Sequence, residues 1–299
     1  MALPGKLAFR LKQESANLWL WASNRPGRHA GSGTPQTSPL PALPDPAPVV
    51  ERLRGGAFAA EIDRLAQEVL DHRFPLFGST IETGPQIEWG RDYVHGITTG
   101  NTYSRLVPFL DASAVGDHKV VWELNRHQHL VLLAQAFRLT GRAEYRDEIE
   151  NQLRSWLDRN PYLRGINWAS ALEVAFRSLS WVWVYHLAGG WMDEPLQARF
   201  LQCLDLHARY LEHNLSVYFS PNTHLLGEGV ALHLGTRKYF TITESGLILL
   251  EELAAWRSEA ELVQALVARY DVTPQHAGSS VREFLERCRR ADLLLVEDT

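Results

Sequence analysis

Between Asp117 and Gly235 the chain reads as five successive helix-length segments, and no convincing period-two strand separates them. The segments are HKVVWELNRHQHLVLLAQAFRLTG, RAEYRDEIENQLRSWLDRN, a helix opening at Asn167, MDEPLQARFLQCLDLHARYLEHNL and a helix after Asn222. Gly or Asn-Pro punctuates several joints, which suits antiparallel helical hairpins with short connections. This pattern predicts an all-α fold, as an open bundle or a toroid; periodicity does not choose between them.

The most informative stretch is NPYLRGINWASALEVAFRSLSW, Asn160 to Trp181. Asn160-Pro161 and Gly165 end one helix and Asn167 is placed to cap the next. Trp168, Leu172, Ala175, Leu179 and Trp183 fall at helical spacing and predict a core face. Glu173 and Arg177 lie four apart on a different face, as an acid–base pair accessible to water or to a ligand. Taken alone, such a pair is more often a surface ion pair of small energetic weight.

At 299 residues and 45% hydrophobic content the chain suffices for one large core, or one core with a small appended domain. A net charge of −5 with interspersed signs gives no general attraction to nucleic acid or to anionic membranes. Cys203 and Cys288 lack metal-ligand spacing and predict reduced packing residues. The N-terminus has no signal-peptide pattern and no later run has the apolar length of a span, so the expected location is the cytoplasm.

Residues 1–48 carry an amphipathic stretch and then a Pro-, Gly- and Ser-rich connector, RPGRHAGSGTPQTSPLPALPDPAP. A helix follows from Val49 to His72, with Phe58, Ile62, Leu65, Val69 and Leu70 on one side. The aromatic-rich run FPLFGSTIETGPQIEWGRDYVHG predicts a packed loop over a surface.

Three motifs, WELNRHQ (Trp122–Gln128), NPYLRGINWASALEVAFR (Asn160–Arg177) and SPNTHLLGE (Ser220–Glu228), closely resemble the N-terminal helical domain of the heparinase II/III-like polysaccharide lyases. The resemblance covers about residues 50–235 and implies an incomplete α/α toroid over 49–235 whose groove holds an acidic polysaccharide. It implies catalytic roles for Asn222 and His224 in neutralising a uronate carboxylate and moving its neighbouring proton. It implies substrate contacts from Arg126, Glu173, Arg177, Trp122, Trp168 and Glu228, converging on one groove. From the residues alone, His224 also reads as a helix-start histidine bonded to Glu228 one turn on. No metal or other cofactor is implied.

After Gly235 the family pattern stops, and the Tyr-bearing segment of related lyases and their closing β-sandwich are not read in this sequence. Residues 236–299 instead resemble the latter part of PqqD-like peptide-recognition domains: a short strand, a Thr-Glu-Ser-Gly helix start, Trp256, a second helix ending at Arg269-Tyr270-Asp271 and a third ending at Leu293–Leu295. That implies a small winged-helix-like C-terminal domain and a peptide, or a separate subunit, as a further partner. Two functions are therefore carried forward: a lyase-derived glycan binder with little or no turnover, and a peptide-binding scaffold on a non-catalytic toroid.

Overall fold

The computed structural model describes residues 3–23, 43–216, 224–225, 227–229, 248–249, 252–253, 257–270 and 272–290. The chain divides into two compact units, Met1–Asn214 and Leu215–Thr299. The first contains helices α1 (Leu3–Ser23), α2 (Ala47–Leu53), α3 (Ala57–Leu70), α4 (Ala112–Val115), α5 (His118–Asn125), α6 (Gln128–Thr140), α7 (Ala143–Arg159), α8 (Ala171–Ala188) and α9 (Glu194–Asn214). The fold class is all-α, as the periodicity predicts.

Within the first unit α3, α6 and α8 pack side by side, while α7 and α9 pack on one another and against α6 and α8 respectively. These helices are arranged in two layers, α3, α6 and α8 in one and α7 and α9 in the other. The layers follow from composition. Helix α7 is strongly polar apart from one stripe, Tyr145, Ile149, Leu153 and Trp156, and buries that stripe together with Gln152. Helix α8 is apolar almost all round and is buried on several sides, as an inner helix must be.

Two details of the N-terminal region differ from expectation. The Val49–His72 segment is two helices broken at 54–56, and the buried face of the second is Ala59, Ile62, Ala66 and Val69, with Phe58 50% exposed. The aromatic run is not a loop but two antiparallel hairpins, β1 (Arg73–Leu76) with β2 (Ser79–Glu82) and β3 (Arg91–Asp92) with β4 (Ile97–Thr98). The first turn places both Phe77 and Gly78 at positive φ, which a phenylalanine seldom signals.

The second hairpin is tied to the start of α5 through Asp92, which is fully buried. Its carboxylate accepts from the amides of Val94 (2.9 Å), His95 (3.3 Å) and Asp117 (2.7 Å) and pairs with His95 Nδ1 at 2.6 Å. Burial pushes the Asp92 pKa up, but these hydrogen bonds outweigh it and hold it below the usual carboxylate range. Gly116 abuts this hub at φ +72°, and a Cβ there would lie 2.4 Å from Asp92 Oδ2. Gly116→Ala adds backbone strain to an overpacked contact and is expected to cost about 3 kcal/mol. A thermal melt unchanged from the wild type would refute this account of the hub.

In the second unit, helices α10 (Glu259–Arg269) and α11 (Pro274–Arg290) bury Leu262, Leu266, Ala277 and Val281 together with Ile248 and Leu249. Ser258 and Glu261 form a reciprocal capping box at the start of α10. Helix α10 ends at Arg269 with Tyr270 as its cap residue, as the sequence predicts. The strand, the Thr-Glu-Ser-Gly start, Trp256 and the Leu293–Leu295 end lie outside the described residues.

Candidate functional site

The WELNRHQ motif is the joint between α5 and α6. Trp122 is buried, and its indole N–H donates to Ile166 O at 3.0 Å. Asn125 donates to Trp89 O and Val121 O, both at 2.8 Å, and accepts from Trp156 Nε1 at 2.9 Å. His127 adopts the left-handed conformation at φ 60°, which turns the chain sharply so that α6 can start. One outward group of the joint, Arg126, crosses to α8. Its Nε and Nη2 bond Glu173 at 2.7 and 3.0 Å, its Nη1 bonds Glu123 at 2.6 Å, and it stacks on Phe176 at 4.7 Å. Burial works against the guanidinium charge, but the two glutamates outweigh it and the Arg126 pKa is raised.

Glu173 and Arg177 do not face water. Glu173 is 4% and Arg177 0% exposed, and the supposed core positions Leu172 and Leu179 are only half-buried, with Trp183 42% exposed. The polar strip of α8 is turned inward because tertiary partners await it. Arg126 neutralises Glu173, while Arg177 lies over Trp156 (4.5 Å) and Trp168 (5.4 Å) and donates to His207 Nε2 (3.3 Å) and Asn167 O (3.1 Å). Burial lowers the Arg177 pKa to about 10, so it remains a cation at neutral pH.

Asn167 is not the cap of α8. Its side-chain amide donates to Trp89 O (3.1 Å) and Asn160 Oδ1 (2.8 Å), stitching the second motif to the joint below α5. Trp168 is fully buried among Trp156, Tyr162, His207 and Tyr210. Of the residues assigned to substrate contact in the first unit, then, Arg177 and Trp168 have no exposed surface. Trp122 and Glu173 have little, and Arg126 keeps some.

In the second unit Glu228 is also fully buried, its oxygens accepting from Ser216 N (2.6 Å) and Oγ (2.7 Å). Burial raises its pKa despite those bonds. Ser216 is thus a partner of this carboxylate. His224 is half-buried in the second unit. Asn222 lies outside the described residues, and with it the expected convergence of Asn222 with Arg177.

The turn of α8 leaves a groove between α6 and α8, about 290 Å³ in volume and walled mainly by apolar groups. Gln128 and Gln135 of α6 face Phe176, Leu179, Ser180 and Trp183 of α8 across it. Phe176 belongs both to this wall and to the Arg126 stack. The spacing of Trp183 predicts a core position, but it is exposed; the signal for a surface role is that α8 carries more apolar positions than one buried face can use.

Packed around Trp156 and Trp181 are two buried imidazoles, His127 and His207, that sequence reading passed over, although His127 lies inside the first motif. His127 Nδ1 accepts from Trp181 Nε1 at 2.8 Å, so its proton is on Nε2. His207 Nε2 accepts from Arg177, and its Nδ1 faces Ser178 Oγ at 3.3 Å. Both rings are 0% exposed, and burial first, with nearby cationic groups second, holds both pKa values well below the usual histidine range.

Residues 51–237 match the family model described as Heparinase II/III N-terminus. Residues 228–294 match that of coenzyme PQQ synthesis protein D (PqqD). No curated protein matches this sequence. Among solved structures, a heparinase III is similar at 16% identity and a TM-score of 0.47 over 94% of this chain, which spans 41% of that structure's chain.

Proposed function

Since the chain belongs to the heparinase II/III family through its helical unit, we propose that it is a lyase-derived protein that binds a uronic-acid polysaccharide along the α6–α8 groove, with little or no turnover of its own. The observation that carries this reading is the groove's make-up. A half-exposed indole and a phenyl face offer stacking surfaces, two primary amides offer directional hydrogen bonds, and a guanidinium stands at the Phe176 end. Arg126 is held from below by the bidentate Glu173 bond. Glu123 takes only Nη1, and a sugar carboxylate would replace it there at little geometric cost.

Elimination from a uronate removes the proton beside the carboxylate and expels the glycosidic oxygen at the next carbon. It needs a neutraliser, a base and an acid. Asn222 and His224 are the proposed carriers of the first two roles. After residue 237 the chain matches PqqD rather than continuing the helical match, which favours binding over rapid turnover.

Titrating the full chain with heparan sulfate, alginate and hyaluronan oligosaccharides, read by tryptophan fluorescence, tests this. Binding should weaken with salt and fall about tenfold or more in Trp183→Ala, as expected for loss of an aromatic anchor. No binding to any of the three would end the glycan reading. Absorbance of unsaturated uronate should stay near background; strong product formation lost in Asn222→Ala or His224→Ala would instead make the chain a working lyase.

A second reading, a peptide partner at the C-terminal unit, is supported by the PqqD match, within whose residues the α10–α11 core lies. If a leader-like peptide shifts the amide signals of residues 238–256 while the glycans shift nothing, that function takes precedence.

A further inference from the structure

Helix α1 is docked with its sidedness inverted. Gln13 and Asn17 are turned inward, 6% and 1% exposed, beside Leu20 at 1%, whereas Leu11, Leu18 and Trp19 are 61%, 53% and 63% exposed. At 3.6 residues per turn these three share an arc of about 100° with Ser15 and Ala22, which are exposed too, and Gln13, Asn17 and Leu20 lie opposite. Specific contacts fix this rotation. Asn17 and Asn214 of α9 exchange two hydrogen bonds of 2.9 Å, Glu14 pairs with Arg105 at 3.5 Å, and the Trp21 ring lies 5.9 Å from Tyr103 and 5.9 Å from the Arg164 guanidinium. A helix that served only to cover the core would bury its leucines and expose its amides.

Two exposed cations border the arc, Lys12 next to Trp19 and Arg10 beyond Leu18, while the only acid of α1, Glu14, is matched by Arg105. Three apolar side chains on one helix fall well short of the roughly 800 Å² per partner that a stable protein pair buries, and a second copy would bring the same cations to the contact. A bilayer interface suits the arc better. Leucines enter the acyl boundary, an indole rests at headgroup level, and Lys and Arg meet anionic lipid. No helix among the described residues is long and apolar enough to cross a membrane, so α1 would lie in the plane of the surface.

We propose that α1 is a membrane-surface element, whose outward arc of Leu11, Leu18 and Trp19 docks the helical unit on an anionic lipid bilayer. The net charge of −5 supplies no general attraction, so the docking is local to α1. It is independent of the α6–α8 groove.

The test is flotation of the full chain with mixed phosphatidylcholine–phosphatidylglycerol vesicles, against phosphatidylcholine alone. Binding should be stronger on the mixed vesicles, weaken with salt, and fall at least about tenfold in the double variant Leu11→Ser, Leu18→Ser. Both positions are exposed, so this variant should melt as the wild type does, which separates lost binding from lost fold. Lys12→Gln should weaken binding to the mixed vesicles alone. Failure to float with the mixed vesicles, undiminished binding of the double leucine variant, or a dimer in sedimentation velocity that this variant abolishes would each overturn the proposal.

Discussion

Lowering the pH from 7 to 5 is expected to cost the helical unit about 4 kcal/mol of stability, mostly through His127 and His207. Both are neutral when folded and ordinary histidines when unfolded, with a reference pKa near 6.5. Their stabilisation is therefore complete above about pH 6.5 and is lost as the pH falls towards the depressed folded values, because the unfolded chain takes up two protons that the folded one refuses. Each such proton is worth about 1.4 kcal/mol per pH unit. The geometry explains the refusal. A proton on His127 Nδ1 would face the Trp181 N–H, and one on His207 Nε2 would face the Arg177 N–H. His129, whose pKa burial lowers to about 4 against the opposing Gln152 hydrogen bond, keeps some exposure and adds a smaller share. Urea midpoints followed by circular dichroism should fall by about 1.5 M over this interval. His207→Gln, which can still accept from Arg177, should remove about half of the drop; a midpoint indifferent to pH between 7 and 5 would contradict the buried neutral pair.

Trp156→Ala is expected to destabilise the same unit by about 4–7 kcal/mol, from the cavity left by an indole and from the stranded acceptor on Asn125. Trp156 is fully buried at the centre of the cluster, 5.6 Å from the His127 ring, 5.4 Å from Trp181 and 4.5 Å beneath the Arg177 guanidinium. Its N–H holds Asn125, which holds Trp89. A loss of that size approaches the whole stability of an ordinary domain, so the melting temperature should drop by at least about 10 °C. Trp156→Phe should cost much less in packing and still lose the Asn125 bond. A melt of Trp156→Ala within a few degrees of the wild type would show that the cluster is not the keystone of the fold.

The motifs WELNRHQ and NPYLRGINWASALEVAFR are rich in polar side chains suited to chemistry, yet most of these bond backbone or other interior groups. Asn125, His127, Asn160, Asn167 and Arg177 are interior groups of this kind, whereas Gln128 lines the groove and Arg126 stands at its Phe176 end. In the second unit Glu228 does the same for Ser216.

The order and helical character of the segments from Asp117 to Asn214 were readable from the sequence, because helix breaks and caps are local and period 3.6 is a property of consecutive residues; the first of them, read as one helix, is two, parted at Arg126-His127 by the left-handed His127. The Asn160-Pro161 stop and the end of α10 were readable for the same reason, and the family of the helical domain was readable from the resemblance of its motifs. What the sequence could not decide was which side of α8 is the inside. The helix is apolar on more than one face, and its charged strip can be buried only if partners arrive from elsewhere: Arg126, 47 residues before Glu173, and His207, 30 residues after Arg177. Tertiary packing supplied those partners, turned Glu173 and Arg177 inward, and thereby left Trp183 and Phe176 to line the groove.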